Sequence, residues 1–487
     1  MKLNKHLSAL LIAAMLFGTA ACSSGESPEG GQTAQTGTAA ATETETADPG
    51  RAGVKDNLPA DLNYNGRTVL FMCENGGVGP SETNGDILND AKYEALARMQ
   101  ERLNVKYEYV NSSANWKDYS ALLEAGVQAG GEGWDIVVTK SNSAIQMKRD
   151  FLFTDIRDNK YIDLDQPWWW KNAMMDFCLD GHTLRFLVGD ITTSHVEQAG
   201  AAFFNKKLFR DNFGDPDELY KLVVDRKWTW DKAIEYTKGA YKDVNGNAKA
   251  DSGDIFGCVN DNAEYLRHVQ FTCGVRMYSR GADGIPYVDC DVERAVKAID
   301  KLNEFYYNTP GNVYDASGAV TAQQIFIGGE MLLYQARLGT AVRFRDMEDD
   351  FGIIPHPMLD EAQGEYTNAV SNSSYFSTIP VTAKDPDLSG AVLEANCAEA
   401  YRSVIEVFYD TVLKMKYSRD EYSGQCIDII HDVTRNNLFN EYNSIGAAML
   451  ILNEVKAGTN NFASQYAAIK DVANQRILEL IDLYSKK

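Results

Sequence analysis

The chain has only six histidines, none of them in an HExxH pair, and it lacks both a GxSxG elbow and a Walker loop. The common signatures of zinc hydrolases, serine hydrolases and P-loop enzymes are therefore missing. No two cysteines form a CxxC pair, so neither a zinc ribbon nor a thioredoxin-type redox site is indicated. Leaving Cys22 aside, Cys73, Cys178, Cys258, Cys273, Cys290, Cys397 and Cys426 are odd in number and irregularly spaced. That is not a disulfide framework, and most are expected to be buried small hydrophobes. One bridge between two of Cys258, Cys273 and Cys290 stays open. Basic residues are scarce, 47 Lys and Arg against 69 Asp and Glu, for a net charge of −22. Such a surface repels phosphate backbones and anionic headgroups, so nucleic acid is not an expected partner and uncharged or cationic ligands remain. Past the N-terminus there is no apolar run long enough to span a bilayer.

The N-terminus is the exception. Lys2 and Lys5 precede the apolar run Leu7 to Phe17 and then "GTAAC", a secretory leader over residues 1–21. Cys22 follows the small residues and resembles the acylated cysteine of a bacterial lipobox, although Thr19 stands where Leu is preferred. Residues 22–57 contain no aromatic side chain and read as a flexible tether, reaching roughly 30 Å from a membrane. Together these features imply a globular body on the extracellular face of the cell membrane, held there by a lipid on Cys22.

By length, the remaining 430 or so residues form two or more domains. From Thr68 a β-rich run "TVLFM" is followed by a helix with Leu88, Ala91, Ala95, Met99 and Leu103 at helical spacing, then "VKYEYV". A helix from Trp116 to Ala129 leads to "WDIVVT". Alternation of this kind predicts a parallel sheet with helices on its faces, and ligands then meet the carboxyl ends of its strands. Those ends are the loops "CENGGVG" and "TKSNSA". A second α/β unit starts at "GAAFFNKKLF" and continues through "KWTWDKAIEYTKGAY", where Thr229 is placed to cap a helix. "EMLLYQ" and "DDFGIIPHP" read as buried strands, and the chain is mostly helical from Leu388.

Three long segments, "KWTWDKAIEYTKGAYKDVNGNAKADSGDIFG", "FIGGEMLLYQARLGTAVRFRDMEDDFGIIPHPMLDEAQGEY" and "YDTVLKMKYSRDEYSGQCIDII", resemble extracellular solute-binding lipoproteins of bacterial ABC importers. The likeness is to the family 1 type associated with sugar uptake, clostridial members in particular. It implies an α/β, two-lobed periplasmic-binding-protein type II fold with a hinge of crossing strands and a C-terminal helical region. By that analogy, residues 58–196 with 334–380 form the first lobe and 197–333 with 381–487 the second. The implied function is that of a monomeric receptor, not an enzyme. It holds a sugar or oligosaccharide between the lobes and delivers it to ABC permease subunits on closure. A surface lipoprotein that binds or cleaves glycans without a transporter is the alternative.

A sugar site needs aromatic faces together with amides, carboxylates and arginine. In the stretch "DLDQPWWWKN" the three tryptophans cannot all face inward, and Trp169 is the first candidate for the cleft. The strand-end loops supply Glu74, Asn75, Lys140, Ser141 and Asn142. Asp190 precedes the first implied crossing, Tyr334 and Arg337 follow the second, and Tyr375 lies near the last. A separate motif is "DVNGNAKADSGD", in which Asp243, Asn245, Asn247, Asp251 and Asp254 occupy positions one, three, five, nine and twelve, with the Lys249 carbonyl at seven. The spacing is that of a calcium loop, closer to dockerin loops than to a cytosolic EF-hand. Ala248 replaces the usual glycine at position six, so weak, structural calcium binding is the expectation.

Overall fold

The computed structural model describes residues 50–485 apart from 81, 131–132, 147–151, 262, 316–320, 345–346, 372, 410–420, 436–444 and 448. The leader, Cys22 and the tether up to residue 49 lie outside the described residues. The last part of the expected tether is packed. The Arg51 guanidinium lies 4.7 Å from the Tyr401 ring centroid and 5.3 Å from that of Tyr409. Asp56 takes two bonds of 2.7 Å from Arg102. These arginine contacts order a segment whose composition alone reads as flexible.

The strands are β1 (Arg67–Glu74), β2 (Val105–Ser112), β3 (Ile136–Lys140), β4 (Gly200–Asn205), β5 (Phe256–Asn260), β6 (Tyr278–Arg280), β7 (Pro286–Val288), β8 (Asn312–Tyr314), β9 (Met331–Arg337), β10 (Phe351–Ile354), β11 (Asn368–Ala369), β12 (Tyr375–Thr378) and β13 (Thr434–Arg435). The first sheet runs β12-β3-β1-β2, with β1 parallel to β2 and β3, and β12 antiparallel to β3. Its helices match the periodicity read from sequence. The helix Ile87–Leu103 starts at Asp86, whose side chain accepts the Asn89 amide, and ends at Asn104 with φ 49°; it buries Ala95, Leu96, Met99 and Leu103. The helix Trp116–Gln128 is capped by Asn115 in the same way.

The second sheet runs β10-β4-β9-β5-β8. β4 is buried at every position, as a central strand covered on both faces must be. Phe203, Phe326, Phe344 and Phe351 pack around it with ring centroids 5.0 to 6.3 Å apart. Thr229 occupies the cap position of the helix Trp230–Ala240, but its side chain makes no capping bond; the Trp230 amide donates instead to the Met358 carbonyl. All seven described cysteines are free, and all but Cys290 are buried, so the open question of a bridge resolves to none.

The expected lobe boundaries need correction. β9 pairs with β4 and β5, and β10 pairs with β4, so residues 334–354, expected in the first lobe, belong to the second body. The helix Pro386–Glu399 packs against Ile87–Leu103 in the first body, while Ile405 and Phe408 lie in the second core. The chain therefore returns to the first body between about 366 and 375 and leaves it again near 400–404. Strand pairing across long separations decides this, and a local apolar pattern carries no information about it.

Candidate functional site: the strand-end edge at the hinge

The carboxyl ends of β1, β2 and β3 and the start of β12 share one edge of the first sheet, where Lys140 is paired with Tyr375. In the second sheet the carboxyl ends of β5 and β9 share an edge with the start of β4, where Gly200 is paired with Arg337. Both edges border one short connector, residues 193–200. The Tyr375 amide donates to Ser194 Oγ at 2.9 Å, the Ser371 amide to the Gln198 carbonyl at 3.2 Å and the Leu338 amide to the Ala199 carbonyl at 2.8 Å. Strand ends of two α/β sheets meeting at a connector are where such folds take ligands.

Four of the proposed contacts form the first-body rim. Asn75 is exposed and turns the chain at φ 51°. Lys140 and Asn142 are half-buried, with Lys140 Nζ 5.7 Å from the centroid of the half-buried Tyr375 ring. On the second body Arg337 donates to Gln198 Oε1 and lies 5.9 Å from the Tyr265 ring centroid. Gln198, Tyr265 and the ion pair between Lys92 and Glu197, at 3.0 Å, were not anticipated from sequence. The stretch "HVEQAG" just before the buried strand "GAAFFN" was the available signal. Thr193, which opens the connector, holds φ 50° and donates to Glu197 Oε1 at 2.6 Å. A β-branched residue there is strained, which marks a place where the backbone is over-determined.

Five proposed contacts lie beneath the edge or away from it. Glu74 and Ser141 are buried, with both carboxylate oxygens of Glu74 bonded inside the first body and the Ser141 amide bonded to the Ser374 carbonyl. Tyr334 sits in the second core among Phe203, Phe326 and Phe344. Trp169 is buried and donates Nε1–H to Glu394 Oε2 at 2.8 Å, so it packs the first body and is not a sugar platform. Asp190 is buried and accepts Trp170 Nε1–H at 3.0 Å; burial pushes its carboxyl up to about 7. Trp170 is the partly exposed member of the three, but His195 covers its ring at 4.1 Å and His431 at 4.5 Å. Three adjacent large apolar rings bury as far as chain geometry allows, and that outweighs any cleft role.

A second opening lies elsewhere between the bodies. It is a cavity of about 770 Å³ with Asn172, Met175 and Asp176 on one side, Phe271 and residues 274–280 on the other, and residues 365–369 of the crossing segment in its wall. Beside it Arg280, at the end of β6, donates to the carbonyls of Met175, Asp176 and Cys178, and Tyr278 Oη donates to Asp176 Oδ1 at 2.7 Å. The helix Ala263–Thr272 carries Tyr265 near Arg337 and, six residues on and about 9 Å along the axis, Phe271 in the cavity lining; Asn368, also in that lining, donates to the Gly200 carbonyl at 2.8 Å.

The loop Asp243–Asp254 folds around its own carboxylates. Asp243 accepts the amides of Gly246, Asn247 and Ala248, Asp254 accepts those of Val244 and Asp251, and Asn245 and Asn247 both donate to Asp251. The Lys249 carbonyl accepts from Tyr241 Oη. Ala248 takes φ 61°, the left-handed conformation that position six demands of the loop. Among the described residues, no three His, Cys, Asp or Glu side chains are gathered as a metal site.

Two α/β bodies, three passages of chain between them and polar strand ends at the connector define a two-lobed binding protein of the periplasmic-binding type. A family profile of bacterial extracellular solute-binding proteins matches residues 94–393, more than half of the chain, and the chain belongs to that family. Among solved structures it is similar to the sugar-binding protein MalE of Xanthomonas citri, at TM-score 0.56 and 11% identity over 86% of this chain and 100% of that one. An ABC substrate-binding protein of Listeria monocytogenes in complex with cycloalternan matches at TM-score 0.55 and 13% identity, over 85% and 99% of the two chains. The acarbose-binding GacH receptor of Streptomyces glaucescens matches at TM-score 0.53 and 15% identity over the same shares. No curated protein matches the chain in sequence. Among the described residues no helix is long and apolar enough to cross a membrane.

Proposed function

We propose that the protein is the receptor of an ABC importer, that it binds a sugar or oligosaccharide at the strand-end edge, and that it hands the ligand unchanged to permease subunits as the lobes close. The carrying observation is the shared connector. The Tyr375 backbone amide, on the first-body strand that pairs Tyr375 with Lys140, donates to Ser194 Oγ, and the Arg337 side chain of the second body donates to Gln198 Oε1, so a ligand touching Lys140 or Tyr375 on one side and Arg337 on the other draws the bodies together. Half-buried tyrosine, amide and cationic groups at one edge suit the ring faces and hydroxyls of a carbohydrate. The cargoes of the structural neighbours, cycloalternan and acarbose among them, point the same way.

Transfer without chemistry fits the carboxylates at this edge. Glu74 is committed to three donors, and Glu197 to Lys92 and Thr193. Neither is free to serve as one of the paired acids that glycoside cleavage requires. Acylation at Cys22 and the tether complete the reading, placing a monomeric receptor at the outer membrane surface near its permease. Calcium in the loop Asp243–Asp254 belongs to it as a structural ion in the second body. The test is a thermal-shift screen of the chain from residue 22 onward against mono- and oligosaccharides, with product analysis of every positive. A ligand at 100 times its Kd adds about 2.7 kcal/mol, a rise of a few degrees, and should be recovered intact. Cleaved sugar, or no rise with any sugar, overturns the proposal.

A further inference from the structure

Glu74 ends β1 and is 1% exposed, and no cation is paired with it among the described residues. The ladder between β1 and β3 stops at Cys73 and Val138. Beyond that point the Glu74 side chain continues it. Oε2 accepts the Lys140 amide at 2.9 Å and Thr139 Oγ1–H at 3.1 Å, and Oε1 accepts Ser143 Oγ–H at 3.0 Å. One carboxylate therefore joins the end of β1 to the end of β3 and to the helix Ser141–Gln146 that follows. The next residues, Asn75 and Gly76, turn with φ 51° and 76°, which brings Gly77 under Tyr375. A Cβ at Gly77 would lie 2.7 Å from that ring, so backbone and ring are in direct contact.

We propose that Glu74 is the positioning residue of the first-body rim: it does not touch the ligand, but sets the loop Asn75–Gly77 and the segment Lys140–Ser143 at the mutual spacing the ligand needs. The proposal rests on the strand-end edge being the ligand site. The chemistry requires a side chain with two polar atoms at its end, one of them an acceptor for Lys140 N–H and Thr139 Oγ1–H and the other a partner for the Ser143 hydroxyl. Two hydroxyls and a backbone amide converge there, and without the carboxylate the part-buried Lys140 amide loses its acceptor. Glutamine can meet the same demand, because its carbonyl oxygen can take the Oε2 role while its amide donates to a rotated Ser143 hydroxyl. Alanine cannot.

Two readouts test this in the chain from residue 22 onward. Without ligand, hydrogen exchange of segment 139–143 should be at least about tenfold faster in Glu74→Ala than in the parent, and restored in Glu74→Gln, while the helix Phe462–Ser485 is unchanged. With the sugar that gives the largest thermal shift, Kd should weaken by about tenfold in Glu74→Ala and stay within about twofold in Glu74→Gln. Should Glu74→Ala not fold, Ser143→Ala removes a single donor and should weaken binding by about threefold at unchanged helix protection. Parent binding of a sugar with equal Kd in the alanine and glutamine variants overturns the proposal. A parent that binds no sugar overturns the ligand reading instead, and the exchange data then judge the positioning role by themselves.

Discussion

Two buried carboxyls make this protein's stability depend on pH. Glu394, in the helix Pro386–Glu399, is 1% exposed, and burial pushes it up to about 7 against the hydrogen bond it receives from Trp169. Asp190 is raised to about 7 by the same cause. Unfolded, both titrate near 4. A group whose folded pKa is raised contributes stability that is fully present below the unfolded value and is lost as pH rises through the folded one. The pertinent window is thus pH 4 to 7. Glu394→Gln cannot ionise, so its stability relative to the parent should rise by about 2–3 kcal/mol between pH 5 and pH 8, measured by denaturant unfolding at each pH. A difference that does not vary with pH would mean that Glu394 ionises as freely folded as unfolded.

The loop Asp243–Asp254, proposed to take calcium, is a problem of element geometry. Its twelve residues already close on themselves through amides donated to Asp243 and Asp254, which pre-forms the curve a cation would need. Ala248 pays for that curve with a left-handed backbone at φ 61°, a strain of about 1 kcal/mol that glycine would not carry. Ala248→Gly is therefore expected to stabilise the chain slightly and to tighten calcium binding. Calcium at millimolar concentration should raise Tm, and a chelator should reverse the rise, both read by calorimetry. A Tm indifferent to chelator would assign the loop to its own hydrogen bonds alone.

Over the whole molecule, three passages of chain join the two bodies, and two features beside them bear on how the bodies are held. One is the connector, with its strained Thr193; the other is the contact of β6 with the first body, where one arginine gathers carbonyls from Met175, Asp176 and Cys178. Gly181 and Gly284 meet backbone to backbone beside it, so that a Cβ on either would fall within 2.9 Å of the other chain segment. Arg280→Ala should cost about 2–4 kcal/mol in unfolding free energy, because several charge-assisted bonds are lost at once. Arg280→Lys should not rescue it, since a point ammonium cannot span carbonyls that a planar fork reaches together. An alanine variant with the parental denaturation midpoint would show that the Arg280 contact contributes nothing to holding the bodies.

Much of this was legible along the chain. The helices and strands of the first 140 residues follow apolar spacing, and a left-handed position six was implied by the loop motif before Ala248 was seen to adopt it. The two-body plan followed from the repeated α/β alternation and the family resemblance. Periodicity reports which face of an element is apolar, and turn chemistry reports where φ must be positive; both are local properties. What the tertiary structure decided is non-local. β9 enters between β4 and β5 from more than 70 residues away, which moves residues 334–354 to the second body. Which of three adjacent tryptophans is covered depends on Glu394, His195 and His431, all distant in sequence. Whether an acid at a strand end meets ligand or holds the rim in place depends on donors that only the fold brings to Glu74. A hydrogen bond or a packed ring needs its partner's position as well as its own residue type, and that position exists only once the chain has folded.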